Sequence, residues 1–116
     1  KKYYNESKLI ITTPEVSESV KIFCNVFYAT KIMIFNEFYS ICEQNNLNFK
    51  QIKEFMVLNG WINKMHTNVP GHDGRTGFGG MCFLKDIAAL NEYAIRTKSL
   101  NEVINSTIKQ NNMLRF

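Results

Sequence analysis

Between Pro14 and Gly60 the chain carries neither glycine nor proline, and that uninterrupted run limits the fold more than any other feature. Apolar residues recur through it at Val16, Val20, Phe23, Phe27, Ile34, Phe38 and Ile41. Steps of three, four and seven mark one face of a helix. Thr13-Pro14-Glu15 reads as a helix start, because threonine can cap, proline suits the first helical position and glutamate complements the positive end. Asn45-Asn46 ends the pattern. The spacing therefore predicts one helix over residues 14–44, roughly 45 Å long at about 1.5 Å per residue. The rod is apolar on more than one side, since Ile22, Tyr28, Ile32, Phe35 and Tyr39 lie off the main stripe. A single small domain cannot cover it, so a symmetric dimer through the long helix is expected.

The rest of the chain continues in the same class. Leu9-Ile10-Ile11-Thr12-Thr13 is a short β-prone or extended lead-in, within residues 1–13. Asn48 to Leu58 reads as a helix with Phe49, Ile52, Phe55 and Met56 on one side, ended by Gly60. Residues 60–82 hold Pro70 and all six glycines and read as a long functional loop. A helix follows from Leu84 to about Thr97, with Ile87, Leu90 and Ala94 inward. Ser99 is expected to cap a last helix reaching about Asn112. The fold class is all-α, with residues 1–116 forming a single helical domain.

Composition excludes some functions. No apolar run is long enough to cross a bilayer, and the amino end, Lys1-Lys2-Tyr3-Tyr4, lacks the apolar stretch of a secretory signal. The net charge is +4, but the basic residues are scattered and do not alternate with aromatics, so nucleic-acid binding is not expected. Three cysteines in a helical chain of this size read as reduced thiols in a cytoplasmic protein. The chain begins with lysine, as a piece of a longer protein would.

The chemistry concentrates in Gly77-Phe78-Gly79-Gly80-Met81-Cys82-Phe83-Leu84-Lys85-Asp86. Glycines let backbone approach a ligand closely. A helix N-terminus offers free N–H groups and partial positive charge, and a cysteine placed there favours its nucleophilic thiolate. Asp86 lies four residues beyond Cys82, on the same face of the helix. A thiolate beside a carboxyl suits covalent catalysis with assisted attack by water. Cys24 and Cys42 fall inside the long helix and read as structural. Lys21 and Asn25 form an i, i+4 pair that spacing alone leaves as an ordinary solvated pair. His66 or His72 beside Cys82 would make a cysteine hydrolase, a reading the spacing neither favours nor removes. No metal-ligand pattern is present. The glycine loop departs from a dinucleotide fingerprint, because Cys82 replaces the third glycine and no strand precedes it.

The ten-residue cysteine segment resembles the active-site motif of the UDP-glucose/GDP-mannose dehydrogenase family. The run from Glu18 to Ile32, followed by Phe35-Asn36-Glu37, is similar to that family's long central helix. Val69-Pro70-Gly71-His72-Asp73-Gly74 resembles the approach to its cysteine loop. The resemblance spans roughly residues 12–116 and implies the family's central dimerisation domain, with an NAD-binding Rossmann domain and a nucleotide-sugar domain lying outside this chain. It implies oxidation of a nucleotide sugar such as UDP-glucose to the uronate, with NAD as cofactor bound mainly by the absent domain. Cys82 would be the nucleophile, passing through a thiohemiacetal and a thioester. Lys21 would steady charge on the reacting oxygen, Asn25 would be its hydrogen-bonding partner, and Asp86 would serve proton transfer and water activation. Gly77, Phe78, Gly79 and Gly80 would surround the sugar.

Two residues depart from the family pattern. Leu84 stands where many members have proline, and Trp61 where many carry an arginine that reaches the neighbouring subunit's substrate. Arg75 is the candidate substitute charge for binding substrate. Alone, the chain is expected to have no turnover. The competing expectation is a stand-alone helical oligomerisation module that keeps the motif without its chemistry.

Overall fold

The computed structural model describes residues 14–115; the lead-in expected at 9–13 lies outside them. Four helices follow one another, α1 Pro14–Gln44, α2 Phe49–Leu58, α3 Met81–Arg96 and α4 Glu102–Arg115, and no strand occurs among the described residues. The all-α class is as the periodicity required. Among the described residues no helix is long and apolar enough to cross a membrane.

The first two helices follow local signals. Asn46, in the left-handed conformation, closes α1 while the Leu47 N–H returns to the Cys42 carbonyl at 2.9 Å, a Schellman-type ending. Asn48 caps α2, its side chain accepting the Gln51 N–H at 3.0 Å. Gly60, with φ of 93°, follows the end of α2.

The next two boundaries differ from the sequence expectation. The third helix starts at Met81 rather than Leu84, so Cys82 is its second residue. Its N-cap is Gly80, at φ 88°, with no side-chain cap. Ser99 does not cap the fourth helix. Its N–H closes α3 on the Ala94 carbonyl at 2.8 Å, and its hydroxyl pairs with that of Thr97 at 2.8 Å. The first turn of α4 instead closes from Asn105 N–H to the Asn101 carbonyl at 2.8 Å, and α4 runs on to Arg115. Those extra residues deliver an arginine to the site.

Helix α1 is the spine. It packs against α2, α3 and α4, and α3 packs against α4. Pairs fix its direction against α3: Tyr28 meets Phe83 and Asn25 meets Asp86, so the two helices run antiparallel. The core is compact, with Val26, Ala29, Met33, Phe78 and Ile87 buried and Ile22, Phe83, Leu84, Leu90, Ile104 and Ile108 packed around them. Ile87 and Ala94 are buried and Leu90 half-buried, as their spacing required.

The most conspicuous apolar stripe of α1 faces away from this core. Phe23 and Phe27 are 59% and 65% exposed, and Ile34 and Ile41 are exposed with them. Ile52, Phe55 and Leu58 leave α2 equally bare. Burying one such side chain is worth roughly 1.5–3 kcal/mol, and contiguous exposure of this kind marks an interaction surface.

Candidate active site

The glycine loop enters the fold at Phe78, which is buried against α1 and α3. Its backbone is held from both sides. Asn111 on α4 accepts the Phe78 N–H at 2.7 Å and donates its own amide to the Phe78 carbonyl at 3.0 Å. Asn36 on α1 accepts the Gly77 N–H at 2.8 Å. One turn beyond Asn111, Arg115 donates Nε to the Thr76 carbonyl at 2.8 Å and Nη2 to the Gly77 carbonyl at 3.1 Å. Its Nη1 lies 2.9 Å from the Asp73 carboxylate, with the arginine side chain only 6% exposed. Three side chains from two helices therefore satisfy backbone groups that burial would otherwise leave without water.

These clamps explain two glycines. A Cβ on Gly77 would lie 2.5 Å from Asn111 Oδ1, and Gly77 has φ of 76°. A Cβ on Gly79 would lie 2.6 Å from Arg115 Nη1. The clamping groups approach because side chains are missing from the loop.

The fastened loop forms one wall of a cavity of about 630 Å³. Gly77, Phe78, Gly79, Gly80, Met81 and Cys82 lie on that wall. Ile32 of α1, Met65, His66, Asn68, Gly71, His72, Asp73, Phe83 and Arg115 complete it. Cys82 is exposed, whereas Cys42 is buried and Cys24 intermediate. The Cys82 thiol thus sits on the first turn of α3, where N–H groups have no intrahelical partner, facing a space large enough for an organic ligand.

One turn along α3 from Cys82, Asp86 accepts a hydrogen bond from the Asn25 amide at 2.8 Å. This bond joins α1 to α3, and Asp86 stands on the same face of α3 as Cys82. Lys21 lies one turn beyond Asn25 on α1 and is exposed. The antiparallel register places it two helical turns, roughly 12 Å along the axis, from the level of Cys82.

Asp73, His66 and Lys31 have shifted protonation. The Arg75 backbone N–H, then the Arg115 guanidinium, hold the Asp73 carboxyl below the usual carboxylate range. Its contribution to folding is complete above that range and is lost as pH falls through the folded value, below about 4. Burial first, then the Lys31 and His72 charges, lower the His66 pKa. The unfolded chain therefore binds a proton before the folded one as pH falls through about 6.5, and stability declines in that window. Burial lowers Lys31 as well, whose ammonium donates to the Asn63 carbonyl.

The sequence candidates fall into three groups. Cys82, Gly77, Phe78, Gly79 and Gly80 share the cavity. Asn25 and Asp86 are bonded to each other one turn along α3 from Cys82, with Lys21 a turn further out on α1, and none of these three lines the cavity. Arg75 is exposed and donates to the Arg115 main-chain carbonyl at 3.2 Å, so the arginine on the cavity wall is Arg115. His66 and His72 also line the wall, but no hydrogen bond among the described residues joins either to Cys82, which removes the support a cysteine hydrolase needs. No group of three His, Cys, Asp or Glu side chains among the described residues could hold a metal ion. Asn36, Asn111 and Arg115 escaped the sequence reading. The glycine spacing announces a close approach without naming what approaches.

Comparison with known proteins identifies the family. The model of the UDP-glucose/GDP-mannose dehydrogenase family, central domain, matches residues 15–113. The chain is 35% identical over 107 residues to UDP-glucose 6-dehydrogenase of Rickettsia prowazekii, covering 92% of this chain and 24% of that protein. It is 33% identical over 109 residues to UDP-glucose 6-dehydrogenase of Rhizobium meliloti, covering 94% and 24%. It is 30% identical over 107 residues to UDP-glucose 6-dehydrogenase TuaD of Bacillus subtilis, covering 92% and 22%. The chain thus spans about a quarter of the length of these relatives. No solved structure matches it significantly. With a motif, a four-helix fold and a matching domain all in register, the chain belongs to the UDP-glucose/GDP-mannose dehydrogenase family, as its central domain.

Proposed function

We propose that this chain is the cysteine-bearing domain of an NAD-dependent enzyme that oxidises UDP-glucose, or a related nucleotide sugar, to the uronate in the cytoplasm. The observation that carries the reading is Cys82, exposed on the first turn of α3 at the wall of the glycine-lined cavity. NAD would supply the hydride acceptor for both oxidations, held mainly by a domain that this reading places outside the chain.

The chain's own residues divide the remaining work. The Cys82 sulfur adds to the carbon of the aldehyde, giving a thiohemiacetal that keeps the reactive group from solvent. Oxidation leaves a thioester on the same sulfur, and water cleaves it to the carboxylate. The Lys21 ammonium stabilises negative charge on the reacting oxygen. Asp86, oriented by the Asn25 amide, takes the proton of the attacking water. The loop from Gly77 to Gly80, fixed by Asn111 and Arg115, shapes the wall against which the sugar rests. The full-length protein supplied with UDP-glucose is expected to form two NADH per uronate, and this chain alone none. One NADH per sugar, or turnover by the isolated chain, contradicts the reading.

The bare face of α1 supports a homodimer through that helix, with Phe23 and Phe27 buried between copies. Phe27→Asp places a charge in that interface, where an unpaired ion costs several kcal/mol. Sedimentation is expected to give a dimer for the unmodified chain and a monomer for the variant at micromolar concentration. A variant that sediments as a dimer places the interface elsewhere. A stand-alone oligomerisation module would share this behaviour but has no use for an exposed cysteine beside a bonded Asn–Asp pair.

A further inference from the structure

Among the described residues, three other than glycine have positive φ: Asn46 at 57°, His66 at 67° and Lys98 at 58°. Two have a local reason. Asn46 ends α1, and Lys98 ends α3, where the following N–H of Ser99 returns to Ala94. His66 ends no helix; it lies in the loop between α2 and α3. A bulky side chain in the left-handed region costs of order 1–3 kcal/mol and persists only where its surroundings impose it.

What surrounds the imidazole is an aromatic clamp. The Tyr28 ring stacks on it at 5.0 Å and 32°, and the Phe83 ring meets it edge-on at 5.8 Å. Phe83 follows Cys82 in α3, and the clamped imidazole and the thiol both line the cavity. Among the described residues neither ring nitrogen has a hydrogen-bond partner within the chain, although the ring is half-buried. A polar ring is thus strained into place and held by apolar contacts, with its hydrogen-bonding capacity unused.

We infer that His66 is a specificity residue of the same site, its imidazole accepting a hydrogen bond from a hydroxyl of the sugar held against Cys82. The inference rests on the nucleotide-sugar reading and adds a contact to it. The charged and titratable groups around the ring are Lys31 and Tyr28 from α1 and His72 from the loop, with Asp73, Cys82 and Arg115 elsewhere on the cavity wall. Burial first, then Lys31, lowers the imidazole from the ordinary histidine value and so keeps it neutral at pH 7, which leaves it one donor and one acceptor nitrogen. Protonation converts the acceptor to a donor and breaks the bond, so binding weakens as pH falls through the lowered folded value, beneath the ordinary histidine range.

Calorimetric titration of the full-length protein with UDP-glucose tests this. His66→Phe keeps a ring for the clamp and removes both nitrogens. His66→Asn tolerates the left-handed backbone, removes the titrating ring and serves should the phenylalanine variant fail to fold. Either variant is expected to raise the UDP-glucose Kd roughly tenfold at pH 7.5, the size of one hydrogen bond with its partner left unpaired, and to lose the weakening that the unmodified protein shows between pH 7 and 5. In turnover the loss is expected in KM, with kcat within about threefold. A Kd and a pH profile in the variants equal to those of the unmodified protein overturn the His66 contact and leave the dehydrogenase reading standing. Binding of UDP-glucose without turnover sinks the dehydrogenase reading, and the Kd ratio still decides His66.

Discussion

Replacing Cys82 by alanine in the full-length protein is expected to reduce uronate formation by roughly 10⁴-fold or more, the scale on which a covalent nucleophile contributes. The substitution removes only a sulfur. Cys82 is exposed and lies outside the core built from Val26, Ala29, Met33, Phe78 and Ile87, so the thermal midpoint is expected to move by no more than a degree or two. Cys42→Ala is the control for the opposite case: it deletes a buried thiol and is expected to lower stability while leaving the chemistry in place. Loss of turnover without loss of fold separates a nucleophile from a packing residue. A Cys82→Ala protein that still makes uronate within tenfold of the original rate would remove the covalent route.

Gly77→Ala is the second large effect, and its origin is steric. The new methyl would meet Asn111 Oδ1 at 2.5 Å while the backbone is held at φ 76°. Asn111 cannot withdraw cheaply, since it is bonded to both the Phe78 N–H and the Phe78 carbonyl and is itself buried. Strain of about 1–3 kcal/mol from the backbone adds to an overlap costing a similar amount. For a chain of this size the thermal midpoint is expected to fall by roughly 10–20 °C. Gly74 isolates the two causes. It has nearly the same φ, 79°, but no atom within 4 Å of an added Cβ, so Gly74→Ala is expected to cost only the backbone strain. Thermal unfolding of both variants checks the pair; equal losses would mean that the Asn111 clamp carries no weight.

Local chemistry was legible in the sequence and remote chemistry was not. Pro14, Asn45-Asn46, Asn48 and Gly60 set helix boundaries through their own backbones and side chains, and α1 and α2 end where those residues demand. The start of α3 lies three residues before the first periodic apolar position, because its N-cap, Gly80, has no side chain with which to announce a cap. Ser99 looks like a cap from its neighbours, but its N–H and hydroxyl are occupied in closing α3. The cysteine segment carried its own signature in consecutive residues. Asn36, Asn111 and Arg115 sit 33–41 positions from the loop atoms they hold, and a polar residue on a helix looks the same whether it faces solvent or clamps a carbonyl. The apolar faces of α1 were visible as apolar, but nothing in their spacing distinguishes the face that meets Ile87 from the face left bare.

The most direct measurement is the mass of the Cys82 peptide from full-length protein quenched in acid during turnover of UDP-glucose. The account predicts an acyl adduct of the sugar on Cys82, absent when NAD is omitted and absent from Cys24 and Cys42. An unmodified Cys82 peptide throughout turnover, or the adduct on any other residue, would contradict it.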